Sequence, residues 1–172
     1  MMDFSSKIRN INDFPERGIV FRDIAPLLED KELFRQMVAE LVKKVSNLKI
    51  DKVVGIDARG FILAGILAEK LNAGMVMIRK KGKLPYETES VEYDFEYGKA
   101  EIEIHKDSIK PGESVLLVDD VLATGGTMSA AADLVEKTGG KVKAILFLII
   151  LDYLPGREKL EKHPIYSLVE YK

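Results

Sequence analysis

The chain alternates short continuous apolar runs with segments in which apolar residues recur at helical spacing. Four runs have the composition of strands buried on both faces: KVVGI at 52–56, MVMI at 75–78, SVLLV at 114–118 and KVKAILFLII at 141–150. Helical spacing covers 31–45, 61–71 and 127–137. Asp30 is the predicted N-cap of the first helix. Strands that alternate with helices predict an α/β fold, with a largely parallel twisted sheet and helices on both faces.

Two segments do not follow this alternation. Residues 79–99 are long for a connection in a compact domain, which is typical of a functional loop, and we interpret them as a flexible lid. Strand-like patterns near 91–95 and 100–104 predict that the lid projects as a hairpin. Residues 13–28 have many turn formers and little periodicity, so we expect an ordered cap there rather than a sheet element, within a cap segment that spans 1–30.

The remaining chain and the composition fit one domain spanning 1–172. The C-terminal IYSLVEY is a predicted edge strand, and Met75 and Met77 are assigned to the core. Hydrophobic residues make up 47% and charged residues 31%, as in ordinary globular proteins. The 26 Lys and Arg against 28 Asp and Glu give a net charge of −2, so a nucleic-acid partner is not indicated.

Several classes of site are not indicated. The chain has no cysteine, which excludes disulfides and thiolate metal sites, and its two histidines lack metal-ligand spacing. We therefore expect no metal ligand supplied by the protein. The N-terminal segment lacks the apolar core of a secretion signal, and the apolar run at 144–151 is too short to span a bilayer. A cytoplasmic protein without membrane association is expected.

The stretch VLLVDDVLATGGT combines two acids with an anion cradle. Asp119 and Asp120 close a predicted strand, where parallel α/β sheets bind ligands. The cradle that follows opens a helix with small or hydroxyl residues, namely Thr124, Gly125, Gly126 and Thr127. Glycines admit an anion to the backbone N–H groups and the helix dipole favours its charge. Ionised carboxylates only accept hydrogen bonds, so they need hydroxyl donors or a cation. A ribose 5-phosphate satisfies both parts of the motif, because its hydroxyls can donate to the acids and its phosphate can bind in the cradle. The alternative is a structural glycine turn.

Two other segments are suited to anions. GIDARGF at 55–61 is a second strand-to-helix turn, in which Arg59 and backbone N–H groups can hold an anion. Alternatively, Arg59 pairs with a surface carboxylate. RKKGKLP at 79–85 holds four cations, and its alternative is a solvated basic loop. Together with the cradle, these segments match a ligand with a phosphate at one end and a pyrophosphate at the other.

These motifs resemble a known family. The order of apolar strand, acid pair and TGGT is similar to the phosphoribosyl pyrophosphate signature of the type I phosphoribosyltransferases. DFPERGIVFRDIAPLL, VVGIDARGFI, IRKKGKLP, FEYGKAEIEIHKD and PGREKL resemble the adenine-specific members in order and spacing. The resemblance implies the type I fold and transfer of a 5-phosphoribosyl group to adenine N9, giving AMP and pyrophosphate in purine salvage. It also implies Mg²⁺, bound mainly through phosphoribosyl pyrophosphate, and a homodimer.

The resemblance also assigns roles to residues. Four are implied to be catalytic: Arg59, Glu96, Asp119 and Asp120. Asp57, Ala58 and Arg59 match the pyrophosphate loop, and Arg79, Lys80 and Lys83 match cations that reach the pyrophosphate, in some members from the partner subunit. The cradle and the preceding Val121, Leu122 and Ala123 match the phosphoribosyl site. Backbone groups of Val20 and Arg22 read the adenine edge, while the ring lies between Phe21 and Val121, near Leu151. Glu96, which Tyr97 follows, is implied to manage the proton of the base.

Without the resemblance, alternatives remain open for several of these residues. Phe21 can be a core residue, Arg22 can pair with Asp23, and Glu96 can be an exposed loop residue. At the level of function, the alternatives are a phosphoribosyltransferase for hypoxanthine, guanine or xanthine, and a regulator that senses phosphoribosyl pyrophosphate without catalysis. The N-terminal block argues against the first, and the length and charge of the chain argue against the second.

Overall fold

The computed structural model describes residues 2–95 and 98–172, and it contains two compact units, Met1–Glu40 and Leu41–Lys172. The first unit contains a two-stranded antiparallel sheet of β1 (Arg9–Asn12) and β2 (Val20–Asp23), followed by the short helix α1 (Ala25–Glu29). The prediction of a cap without sheet structure is therefore wrong. All four β1 residues are exposed and all four β2 residues are partly buried, so neither strand carries the apolar alternation that marks a half-buried strand.

Helix α2 (Lys31–Val45) begins in the first unit. The carboxylate of Asp30 accepts hydrogen bonds from the backbone N–H groups of Glu32 at 2.8 Å and Leu33 at 2.9 Å. These bonds satisfy two of the N–H groups that a helix start leaves without partners. The predicted N-cap is confirmed.

The second unit is built on a seven-stranded sheet. Its elements are β3 (Lys52–Ile56), α3 (Gly60–Lys70), β4 (Gly74–Lys80), β5 (Thr88–Phe95), β6 (Gly98–His105), β7 (Ser114–Leu122), α4 (Gly126–Lys137), β8 (Lys141–Leu151) and β9 (Ile165–Tyr171). The strand order is β5-β6-β4-β3-β7-β8-β9. Strands β4, β3, β7, β8 and β9 are parallel, while β5 and β6 are antiparallel at one edge. The predicted α/β fold, largely parallel sheet and C-terminal edge strand are confirmed.

The two helices of this unit cover opposite faces of the sheet. Val54 and Ile56 of β3 belong to a core cluster with Leu134 of α4. Gly55 points the other way, because a Cβ placed on it would lie 2.7 Å from the Cβ of Ala64 in α3. Successive strand residues face opposite sides, so α3 and α4 pack on different faces. A side chain at position 55 would separate α3 from the sheet.

Strands β5 and β6 form the predicted hairpin, with Thr88 opposite His105 and Phe95 opposite Gly98. The hairpin continues the main sheet, because β6 pairs with β4. The assignment of Met75 and Met77 to the core is wrong: they are 39% and 43% exposed. They lie two residues apart on β4 and share one face of the strand. Ile62 of α3 is also 42% exposed, so apolar residues of two neighbouring elements remain open to solvent.

The functional motifs meet at one edge of the sheet. Gly55 of β3 is in register with Val118 of β7, and Ile56 is in register with Ile78 of β4. The carboxyl ends of these three parallel strands therefore lie side by side, where α/β proteins bind ligands. Strand β7 extends beyond its predicted end, so Asp119 and Asp120 lie inside the strand. Within the described part of the chain, no helix combines the length and apolarity needed to cross a membrane.

Candidate active site

The two acids of β7 have different surroundings because consecutive strand residues face opposite sides of the sheet. Asp119 lines the pocket at the start of α4. Asp120 is 4% exposed, and its Oδ2 lies 2.8 Å from Nε of Arg59, at the start of α3. Arg59 is therefore paired with a buried carboxylate, not with a surface one. When both carboxylates are ionised, they leave a net negative charge beside the one guanidinium at the end of β7.

This charge is held in poorly solvated surroundings. Burial raises the pKa of Asp119 well above the ordinary aspartate value, and the neighbouring Asp120 carboxylate raises it further. The pKa of Asp120 is also raised, because its burial outweighs the opposing effect of the Arg59 guanidinium. An added positive charge or hydroxyl donors would therefore stabilise the ionised form of the pair.

Asp119→Asn is expected to stabilise the ligand-free protein at neutral pH. Unfolded Asp119 ionises near its ordinary value of 3.8, whereas the folded protein holds this proton to a higher pH. Between the two pKa values the folded state binds more protons, so wild-type stability falls as pH rises through this window. We expect the variant to gain roughly 2–4 °C in Tm at neutral pH, the scale of about 1 kcal/mol in a chain of this size.

Thermal unfolding of both proteins across a pH series measures this gain. The gain should shrink as the pH falls toward 3.8, where wild-type Asp119 becomes neutral as well. The asparagine amide oxygen can still accept the Asp120 N–H, which Asp119 Oδ1 accepts at 2.9 Å, so the fold keeps that bond. A variant that is less stable at neutral pH, or whose gain grows in acid, would contradict the assignment of a buried, unfavourably ionised carboxylate.

The anion cradle is the turn between β7 and α4. Gly125 precedes the helix with a φ of +78°, in the left-handed region that favours glycine. Because glycine has no side chain to cap the helix, the first N–H groups of α4 remain open to an external acceptor. A cavity of about 110 Å³ lies here, lined by Asp119, residues 121–128 and Phe147. This volume is below the roughly 300–1,000 Å³ of sites for drug-sized ligands, so it suits a compact group such as phosphate.

The shape of the cradle depends on Gly156, which the sequence analysis did not assign to the site. Gly156 lies in a 3₁₀ segment, Pro155–Leu160, that packs against the turn. A Cβ added to Gly156 would clash with the carbonyl oxygen of Ala123, and one added to Gly125 would lie 2.6 Å from the Gly156 carbonyl oxygen. Two glycines are therefore needed for this close approach.

The cationic segment is tied to the GIDARG turn. Arg79 Nε lies 3.0 Å from Oδ2 of Asp57, and Arg79 also donates to the Lys83 carbonyl at 3.3 Å. The structure thus pairs two predicted pyrophosphate residues with each other, while Lys80 and Lys83 are exposed. Ala58 follows Asp57 through a cis peptide bond.

Glu103 is a second residue that sequence reasoning missed. It is 4% exposed, and its Oε1 accepts hydrogen bonds from the backbone N–H groups of Lys83 and Leu84, both at 2.9 Å. Burial would raise the pKa of Glu103, but N–H donors of Leu84, Gly82 and Lys83 outweigh it, so the pKa lies below its ordinary value. This buried carboxylate fixes the turn that carries Lys83.

Most of the chain matches a known protein family. Residues 27–171 match the family model described as the phosphoribosyl transferase domain. The chain belongs to the phosphoribosyl transferase family.

Named relatives of this family cover the whole chain. An adenine phosphoribosyltransferase of Christiangramia forsetii is 51% identical over 170 residues, which is 99% of each chain. The crystal structure of adenine phosphoribosyltransferase from Thermoanaerobacter pseudethanolicus has a TM-score of 0.95 at 46% identity and covers 98% of each chain. The Giardia lamblia structure complexed with 9-deazaadenine has a TM-score of 0.93 at 38% identity, covering 100% of this chain and 99% of that one.

The residues predicted to contact the base in this family member fall into two groups. Val121 and Leu151 lie at the carboxyl ends of neighbouring strands, and since Val121 is in register with Ile149, their side chains share one face of the sheet. Val20, Phe21 and Arg22 belong to strand β2 of the first unit. The first group belongs to the second unit and the second group to the first unit.

Within the first unit, Phe21 is partly buried and meets Phe14 edge to face, with ring centroids 5.3 Å apart. Arg22 donates to the Asn10 side chain, and Asp23 pairs with Arg9 at 3.4 Å. Phe21 is therefore not a fully buried core residue. Outside this unit, the predicted lid residues Glu96 and Tyr97 lie beyond the described residues.

Proposed function

We infer that this chain is an adenine phosphoribosyltransferase, which transfers the 5-phosphoribosyl group of phosphoribosyl pyrophosphate to N9 of adenine. The observation that carries this inference is the acid pair, in which Asp120 is buried and Asp119 lines the pocket, beside a phosphate-sized cradle. The match to the family model and the named relatives support the same activity. The products are AMP and pyrophosphate.

The reaction breaks the C1–O bond of the ribose and forms a C1–N9 bond with inversion. As pyrophosphate departs with the bonding electrons, positive charge develops on the sugar. When both carboxylates are ionised, they outweigh the single Arg59 charge next to the cradle, so their field stabilises the developing positive charge in a poorly solvated site. Asp119 and Asp120 also supply acceptors for the ribose hydroxyls.

The other predicted groups take complementary roles in this proposal. The N–H groups of the cradle hold the 5-phosphate. The turn with Asp57, Ala58 and Arg59 and the exposed Lys80 and Lys83 lie on the side that receives pyrophosphate. Arg79 acts by holding Asp57 in place, given the 3.0 Å ion pair between them. Glu96 accepts the proton that leaves adenine.

Magnesium fits this site as a partner of the substrate. Among residues 2–95 and 98–172, no group of three or more His, Cys, Asp or Glu side chains is arranged to hold a metal ion. Hard cations prefer oxygen, and Mg²⁺ usually retains water and binds substrate phosphates. We propose that Mg²⁺ is held mainly by phosphoribosyl pyrophosphate and water, with no direct ligand from the protein. When bound, it neutralises charge on the leaving pyrophosphate.

Selectivity for adenine rests on strand β2 in this proposal. Val20 and Arg22 are two residues apart, so their backbone polar groups point to the same edge of the strand. A carbonyl there accepts the 6-amino group of adenine, whereas a 6-oxo purine leaves it without a donor. Phe21 offers a partly exposed ring that can stack on the base.

We further propose that the protein works as a homodimer through the apolar surface of Ile62, Met75 and Met77. Exposed apolar residues on adjoining elements mark interaction sites when they are contiguous. Met77→Glu places a charge in this surface and is expected to give monomers in sedimentation analysis. Tyr153→Glu, at a 54% exposed tyrosine elsewhere, is the control and should leave the assembly unchanged. Monomeric wild-type protein at assay concentration would contradict the proposal.

Turnover with purified protein tests the function. Incubation with Mg²⁺, phosphoribosyl pyrophosphate and adenine should yield one pyrophosphate for each AMP. Folded protein that binds phosphoribosyl pyrophosphate but forms no AMP would instead support the alternative that the protein is a non-catalytic regulator that senses phosphoribosyl pyrophosphate.

A further inference from the structure

Tyr93 of β5 reaches the phosphate cradle. Its hydroxyl oxygen lies 3.1 Å from Oγ1 of Thr127, in the first turn of α4. The ring of Tyr93 is partly buried and packs against the core cluster that includes Met128. Further along, Lys137 Nζ donates to the Ser90 carbonyl at 3.4 Å, so β5 and α4 are joined at two points. The tyrosine hydroxyl is therefore held in place.

The chemistry of two hydroxyls gives this contact a role. Each hydroxyl has one donor and two acceptor positions. The Thr127 and Tyr93 hydroxyls lie within hydrogen-bond distance, and either one can donate to the other. A phosphate in the cradle accepts a hydrogen bond from the Thr127 hydroxyl. Tyr93 can then donate its own proton to Thr127 Oγ1, so the contact between the two hydroxyls persists when the phosphate is bound.

We propose that Tyr93 is a positioning residue for the 5-phosphate, acting through Thr127. By accepting or donating as required, it holds the threonine side chain in the rotamer that aims its hydroxyl at the phosphate. Phenylalanine at this position keeps the ring but can neither accept a hydrogen bond from Thr127 nor donate one to it. This inference rests on the proposed function, because it takes the cradle to be the site of the ribosyl phosphate.

Tyr93→Phe tests the inference by two separate readouts. Calorimetry with AMP and with adenine compares a ligand that has the 5-phosphate with one that lacks it. The loss of one hydrogen bond should raise the Kd for AMP about 3- to 10-fold and leave adenine binding unchanged. In turnover, the KM for phosphoribosyl pyrophosphate should rise by a similar factor, with kcat within about twofold.

A double-mutant cycle separates positioning from a structural role. In a Thr127→Val background, which has no hydroxyl to orient, Tyr93→Phe should have no further effect on AMP affinity. In a Thr127→Ser background, which retains the hydroxyl, the effect of Tyr93→Phe should persist. Tyr153→Phe removes the hydroxyl of a tyrosine that is 54% exposed and lies after β8, and it should match the wild type in every readout.

The outcomes are distinct. The positioning role is overturned if Tyr93→Phe binds AMP as tightly as the wild type, or if its effect is fully additive with that of Thr127→Val. In either case, turnover by the wild-type protein still supports the proposed function. Wild-type protein that neither binds AMP nor forms it from adenine overturns the proposed function and this inference together.

Discussion

Asp120→Asn is expected to lower kcat by roughly 10²- to 10³-fold, the scale of losing one preorganised electrostatic group from an active site. Asparagine has nearly the same shape but no charge, so the site loses the negative field that opposes the developing positive charge on the ribose. The effect should fall on kcat with little change in the KM for adenine, because that charge exists only near the transition state. Steady-state kinetics with both substrates varied measures it.

The loss of activity should not be a loss of folding. The pKa of Asp120 is raised by burial, so its ionised form is unfavourable in the folded state, and Arg59 is exposed enough for water to solvate it in the variant. Asp133→Asn, at an exposed aspartate of α4, is the matched control and should keep activity within about twofold. Full activity of Asp120→Asn would remove the acid pair from the mechanism.

Gly125→Ala is expected to disable the cradle while the rest of the sheet survives. Alanine at a φ of +78° is strained by about 1 kcal/mol or more, and its Cβ would lie 2.6 Å from the Gly156 carbonyl oxygen. That neighbour is backbone, so the turn itself must shift. We expect the KM for phosphoribosyl pyrophosphate to rise at least about 30-fold, since shifted N–H groups no longer meet the phosphate.

Gly112→Ala is the matched control for this effect. Gly112 has a φ of +87°, with nothing within 4 Å of an added Cβ, so this variant has similar strain without the clash. Both variants should lose some thermal stability, but only Gly125→Ala should lose donor affinity. Equal KM values for phosphoribosyl pyrophosphate in the two variants would show that the close approach to Gly156 does not shape the site.

The fold was predictable where the burial of an element produces a recognisable pattern of apolar residues in the sequence. Buried parallel strands are continuous apolar runs, which predict strands directly. Helix α2 was predictable because its apolar residues have helical spacing and a side chain caps its start. Strands β1 and β2 are four residues each, which is too short to show a pattern, and none of their residues is fully buried. The exposure of Met75 and Met77 could not be predicted either, because the sequence of β4 does not indicate whether another element covers that face of the strand.

The site was predictable where one segment carries the whole motif. The acid pair and TGGT are contiguous, so their proximity follows from a single strand-to-helix turn. Contacts between distant segments leave no local signal. Tyr93 and Thr127 are 34 positions apart, and the Arg59–Asp120 ion pair and the packing of Gly156 on Ala123 depend on strand order. Sequence reasoning therefore predicted candidate ligand-binding groups but not the residues that hold them in place.

A comparison of four purines tests the central claim most directly. Adenine, hypoxanthine, guanine and xanthine are each assayed with Mg²⁺ and saturating phosphoribosyl pyrophosphate, and kcat/KM is compared. We predict AMP from adenine, with the 6-oxo purines disfavoured by roughly 10⁴-fold, the scale at which unpaired polar groups reject a wrong substrate. A 6-oxo purine used as well as adenine would contradict the assignment of this chain as an adenine phosphoribosyltransferase.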